Sequence, residues 1–217
     1  MFIAAQAILG TPSGGGAGAG VAPITTRITG TATALSGTEA VPTGAVSVTI
    51  KGQAPGGGGG LSLLSGLCNG GGAGGYFERT IAVTGEDGET LSWTLGAYGF
   101  GRKIYQGDGT AGGDVTVTST TLANWTGTMT ALGGEGGQQA GSAGGAGGTA
   151  SGGTTNTTGG NGTHFDGGDT ADSAPGGSAG VAGVRGSGGG PGTFDFENST
   201  QYQGGNGGPG WIEFIWT

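Results

Sequence analysis

Glycine falls in doublets three residues apart through the second half of the chain, as in Gly133-Gly134-Glu135-Gly136-Gly137 and Gly144-Gly145-Ala146-Gly147-Gly148. A left-handed extended helix of the polyproline-II type has three residues per turn and no internal hydrogen bonds. A G-G-x repeat gives such a helix two bare faces and one decorated face. Bare faces let neighbouring backbones approach and pair their N–H and C=O groups, so the core can be built of peptide groups instead of side chains. The competing outcome of this composition is disorder. Two features weigh against it. Only 9% of the residues are charged, whereas disordered chains are usually charge-rich, and four Trp, four Tyr and seven Phe require burial.

Glycine supplies 61 of 217 residues and apolar residues only 33%, so a conventional core can hold only part of the chain. A net charge of −8 with six Lys and Arg excludes a basic nucleic-acid footprint and argues against binding to anionic membranes. Cys68 is the single cysteine, so no intrachain disulfide forms. Met1 to Leu9 is apolar but too short to span a bilayer and has no basic flank, which reads as a docking segment; no stretch predicts membrane insertion.

Alternation of apolar and polar residues predicts strands over 45–50, 76–84, 90–95, 114–118 and 123–130, with a Thr-rich extended stretch over 24–35. The turn signal Gly85-Glu86-Asp87-Gly88 predicts that Tyr76–Thr84 and Thr90–Leu95 pair as a hairpin. Trp211 to Thr217 is apolar on both faces and predicts a strand central in a sheet or in an oligomer interface, with Trp211, Ile212, Phe214, Ile215 and Trp216 as the interface candidates. No 3.6-residue stripe predicts a helix. The expected fold is all-β: a strand-rich N-terminal half, then a glycine-rich, layered region like polyglycine II, closed by a C-terminal strand.

Chemical motifs fail in turn. Gly159-Gly160-Asn161-Gly162-Thr163 begins like a calcium-binding glycine repeat but continues into His164 where an Asp ligand is needed. No phosphate loop is present, and the acidic loops read as solvated turns. His164 and Cys68 are the only histidine and thiol, and no carboxylate pair has a groove-building context. No catalytic, metal or cofactor site is expected. What remains is a set of loop residues that punctuate the glycine tracts: His164, Phe165, Asp166, Phe194, Phe196 and Tyr202, with Tyr98, Phe100 and Tyr105 earlier. Aromatics on loops held by a rigid scaffold suit surface contact, and they equally suit capping the ends of a glycine layer.

The order of parts resembles the glycine-rich domain of bacteriophage tail-fibre and other virion-surface proteins. The matching pieces are Gly71 to Gly75, Tyr76 to Val83, Gly85 to Gly88, Leu91-Ser92-Trp93-Thr94-Leu95-Gly96-Ala97, the tracts after Gly133, and Gly210-Trp211-Ile212-Glu213-Phe214. The resemblance covers roughly residues 45–217 and is compositional as much as positional. It implies a non-enzymatic structural component at the virion exterior, in a tail fibre, tail tip or spike, with loops displayed towards a host receptor, either a polysaccharide or an outer-membrane protein. Residues 1–52 are then expected to dock to other virion proteins, 53–217 to form the glycine-rich domain, and the whole to assemble as a homotrimer. A purely architectural virion role is the alternative; ice or polysaccharide binding through a Thr-bearing face is a third.

Overall fold

The computed structural model describes residues 23–61, 68–102, 107–139, 144–163, 166–170, 176–177, 182–195 and 200–217. These form twelve strands and no helix. In chain order the strands are β1 (Ile24–Thr29), β2 (Leu35–Ala40), β3 (Ser47–Gln53), β4 (Tyr76–Ala82), β5 (Thr90–Leu95), β6 (Val115–Ser119), β7 (Gly127–Ala131), β8 (Ala150–Ser151), β9 (Thr155–Thr157), β10 (Thr193–Asp195), β11 (Thr200–Tyr202) and β12 (Trp211–Trp216). Two antiparallel five-stranded sheets, β1-β12-β3-β4-β9 and β2-β5-β6-β7-β8, face each other, and β10 and β11 pair separately.

Alternation explains the core. Val48, Ile50, Phe77, Ile81, Ile212, Phe214 and Trp216 of the first sheet meet Leu91, Leu95, Val115, Val117 and Met129 of the second in one apolar cluster. β12 is central, as its two apolar faces predict. It is paired on one side with β1 and on the other with β3, and both neighbours come from its own chain. The expected boundary at residue 52 falls inside β3, and β1 and β2 belong to the sandwich. Their apolar positions Ile28 and Leu35 pack against its core.

The predicted hairpin does not form. β4 pairs with β3 and β9, whereas β5 pairs with β2 and β6, so residues 83–89 carry the chain from one sheet to the other. Each strand has one apolar face, and placing these faces against each other buries both; pairing edge to edge in one sheet would leave them side by side. The connection is also too long for a two-residue hairpin turn. Gly85 and Gly88 take φ of 80° and 82°, and the buried Glu86 carboxylate accepts the Ala123 N–H at 2.9 and 3.1 Å, tying this crossing to the β6–β7 connection.

Beyond the sandwich the strands continue as glycine segments and keep their order. Residues 96–102, 107–113, 132–138 and 144–149 extend β5, β6, β7 and β8; residues 204–210, 54–61, 69–75 and 159–163 extend β12, β3, β4 and β9. Residues 54–61 show how they are joined. Gly57 and Gly60 donate to the carbonyls of Gly72 and Asn69, Gly56 and Gly59 to Gly208 and Gly205, and Gly58 and Leu61 to Thr110 and Gly107. Their carbonyls accept in the same step of three: Pro55 and Gly58 from Gly134 and Gly137, Gly56 and Gly59 from Gly99 and Arg102, Gly57 and Gly60 from Gly189 and Gly192. One segment thus bonds to six neighbours, donating to three that run against it and accepting from three that run with it.

Burial follows the same period. Residues 54–61, 68–75 and 186–192 are buried throughout, whereas in 132–138 only Leu132, Glu135 and Gln138 are exposed. This is why the first of these stretches is five uninterrupted glycines and the peripheral tract reads G-G-x. A Cβ on Gly57 would overlap the Glu135 carbonyl, and one on Gly59 the Gly190 carbonyl. Gly57→Ala should therefore destabilise the fold by at least about 3 kcal/mol, as expected of backbone overpacking, whereas Ala146→Ser at an exposed third position should change it by less than about 0.5 kcal/mol. Thermal melts followed by circular dichroism check the contrast; equal melting temperatures would refute the backbone-packed arrangement.

Candidate functional site

The glycine segments end together. Gly192 N–H donates to Gly60 C=O, Gly60 N–H to Asn69 C=O, Asn69 N–H to Gln138 C=O, Gly70 N–H to Thr163 C=O, and Leu61 and Gly107 exchange both bonds. These bonds form one cross-section at the end far from the sandwich. The β10–β11 pair follows directly from Gly192, so it belongs to the same end. At the opposite end of the sandwich, Ile24 faces Trp216, and Val46 N–H donates to the Thr217 carbonyl at 2.7 Å. The molecule has a foot, where the described chain starts and finishes, and a far end, where the outgoing segments turn back.

Of the expected contact residues, Asp166 is exposed at the far end. Thr163 N–H donates to the Asp166 carbonyl at 2.7 Å, and Asp166 N–H donates to Thr163 Oγ1 at 3.0 Å. These bonds join the residues on either side of His164 and Phe165, which lie outside the described residues, as does Phe196. Phe194 stands in β10 opposite Gln201, and Tyr202 in β11 opposite Thr193. Asn161, Thr163, Asp166 and Asp169 border an open hollow of about 430 Å³ floored by glycine backbone. The Tyr98 and Phe100 rings meet as a tilted pair, 5.4 Å between centroids, on the flank, with Phe100 43% exposed; Tyr105 lies outside the described residues. The interface candidates are placed differently: Trp211, Ile212, Phe214 and Trp216 are buried within their own chain, and Ile215 is half-buried.

The acidic and amide residues between glycine doublets have a role that motif reading missed. A segment at the rim of the array has no outer neighbour, so some of its N–H groups need another acceptor. Asp108 Oδ1 accepts from Gln139 N–H at 2.8 Å, Asp114 Oδ1 from Gly133 at 3.0 Å, Asn161 Oδ1 from Gly147 at 2.8 Å and Asn206 Oδ1 from Gly101 at 3.0 Å. Asp169 Oδ1 accepts from Gly176 at 2.8 Å, and Glu135 Oε2 from Ala146 at 3.3 Å. For all of these but Asp108, which follows a single glycine, the signal was legible: an Asp, Asn or Glu directly after a glycine doublet. Among the described residues no group of three or more His, Cys, Asp or Glu could hold a metal ion. Cys68 is buried.

A second feature lies on the outer face of the second sheet. Register places Ser36, Thr94, Thr116, Thr130 and Ser151 in one row across all five strands, and Thr38, Ser92, Thr118 and Thr128 in the next. Thr94 and Thr116 hydroxyls pair at 2.7 Å, Thr118 and Thr128 at 3.1 Å. No charged residue occupies these rows, although the chain carries a net charge of −8.

No protein-family model matches the chain, and no curated protein matches it. The stitching role yields its own expectation. Asp108→Ala leaves the Gln139 N–H without its acceptor and should cost about 1 kcal/mol, whereas Asp108→Asn keeps an acceptor oxygen and should cost clearly less. Chemical denaturation of the two variants separates them; equal losses would mean that the carboxylate charge and not the acceptor matters.

Proposed function

We propose that this protein is a bacteriophage virion structural component, of the tail-fibre, tail-tip or spike kind, that holds receptor-contacting loops at the end of a polyglycine-II scaffold. The three-residue step of the bonds and the six neighbours of residues 54–61 favour polyglycine-II helices packed side by side. At about 3.1 Å per residue, eight-residue segments would carry the loops about 25 Å from the sandwich. The observation that carries the reading is the polarity of the molecule. The flanks of the expected contact loops, Thr163 with Asp166 and β10 with β11, stand at the far end, and both described ends of the chain stand at the foot. A host receptor, polysaccharide or outer-membrane protein, would meet the loops while the foot joins other virion proteins. The virion location rests on the resemblance in the order of glycine tracts and strands. The chemistry these loop residues offer is contact chemistry, and the role proposed is non-enzymatic.

Phe165→Ala combined with Phe196→Ala should reduce host adsorption at least tenfold while particle yield and the melting temperature of the isolated protein stay unchanged. Normal adsorption by intact particles carrying both changes would refute receptor display and leave the architectural role.

The two hydroxyl rows favour a second reading, binding of ice or a neutral polysaccharide through the second sheet. If that reading holds, purified protein shows thermal hysteresis or is retarded in a gel containing a neutral glycan, and Thr116→Lys abolishes the effect. Absence of both effects in the unsubstituted protein would eliminate it.

A further inference from the structure

The two long free edges of the sandwich lie on one side. The other side is closed, because residues 152–154 cross between β8 and β9 and Thr154 N–H donates to the Glu78 carbonyl at 2.9 Å. β1 and β2 are terminal strands of six residues each. The β1 edge can be read group by group. Gly30 N–H donates to the Gly210 carbonyl at 2.7 Å, and that pair continues the register Ile24↔Trp216 to Thr29↔Trp211. Inward and outward groups alternate along an antiparallel strand, so Thr25, Arg27 and Thr29 turn their N–H and C=O outward. Among the described residues no backbone bond reaches them.

Free edges are normally guarded by proline, a bulge or a charge. β1 has no proline, and its six residues pair one to one with β12, so it has no bulge. Its one charge, Arg27, is drawn over the sheet face: the guanidinium lies 3.7 Å from Glu213 and 4.4 Å from the Trp211 ring centroid. The edge is therefore open to strand addition.

The chain carries a fitting strand. Phe2 to Leu9 is apolar apart from Gln6, and residues 10–23, with six glycines, separate it from β1 at the foot. Hairpin connections usually take about two to five residues. A fourteen-residue glycine-rich spacer fixes no register in its own chain, and it reaches roughly 20 Å. Ile24, 39% exposed, and Val46, 50% exposed, stand at the same foot and lack apolar cover. We infer that the free edge of β1 receives Phe2–Leu9 of a second copy as an antiparallel strand, so that copies join foot to foot by strand exchange with their far ends directed away. This goes beyond the receptor-display reading and does not depend on it.

The test uses the full 217-residue chain, a deletion of residues 2–9, and Thr25→Pro, which removes one outward N–H and leaves the β1–β12 bonds in place. Light scattering after size exclusion should give an oligomer for the full chain and a monomer for both variants, with the circular dichroism of Thr25→Pro unchanged. A labelled peptide of residues 1–12 should bind the deletion variant and bind a Thr25→Pro version of it at least tenfold more weakly. A monomeric full chain overturns the inference, whether or not the peptide binds, because the strand then stays in its own copy or is unused. An oligomer that survives the deletion also overturns it. Should Thr25→Pro fail to fold, the deletion and the peptide decide alone, and a deletion variant that ignores the peptide counts against the proposal.

Discussion

Everything beyond the sandwich depends on one interaction, the backbone N–H···O=C bond between glycine segments that have no side chain between them. Residues 54–61 give and receive such bonds with six neighbours, and a Cβ at Gly57 or Gly59 would occupy the place of the carbonyl that the adjoining segment presents. A bond of this kind contributes on the order of 1 kcal/mol net, and ordering a glycine costs more backbone entropy than ordering any other residue. Such an array gains little from any single contact. It persists because almost every peptide group finds a partner, and leaving one buried and unpaired is the costlier state.

That balance explains why the two halves of the molecule need each other. Eight glycine segments run straight out of or into a strand, in the order the strands already have. The sandwich is held by Trp216, Phe214, Phe77 and their partners, and it fixes one end of each segment. Tethered this way, the segments lose less freedom on pairing than loose chains would. The aromatic residues that seemed misplaced in a glycine-rich chain are what makes the glycine packing possible. At the rim, where the array runs out of neighbours, Asp108, Asp114, Asn161 and Asn206 supply the missing acceptors from their side chains.

The strands were legible because alternation records burial, and the double apolarity of 211–216 placed β12 inside a sheet, between β1 and β3. The β4–β5 pairing was not legible. Gly85-Glu86-Asp87-Gly88 marks a turn but does not say whether the chain returns beside itself or crosses to a facing sheet, and the deciding contact, Glu86 to Ala123, lies 37 residues away in sequence. The same limit applied to the acidic residues. Asp and Asn beside glycine read locally as solvated turns, whereas their bonding partners lie 7 to 105 residues distant. The G-G-x period depends only on the three-residue step, so it can mark which positions are bare without naming the neighbour each would meet.

The positions of the contact candidates follow from parity. A segment that leaves the sandwich must return to it, so the chain reverses at the far end, where substitutions leave the bonded array untouched. Thr163 and Asp166 bond to each other there, and β10 pairs with β11. Inside the array, by contrast, a methyl group on most of the glycines would collide with a neighbour's backbone. A fold that bars side chains from those positions leaves variation to the far end and to the exposed third positions of the rim. This is the arrangement a surface-contact protein needs when its targets change faster than its scaffold can.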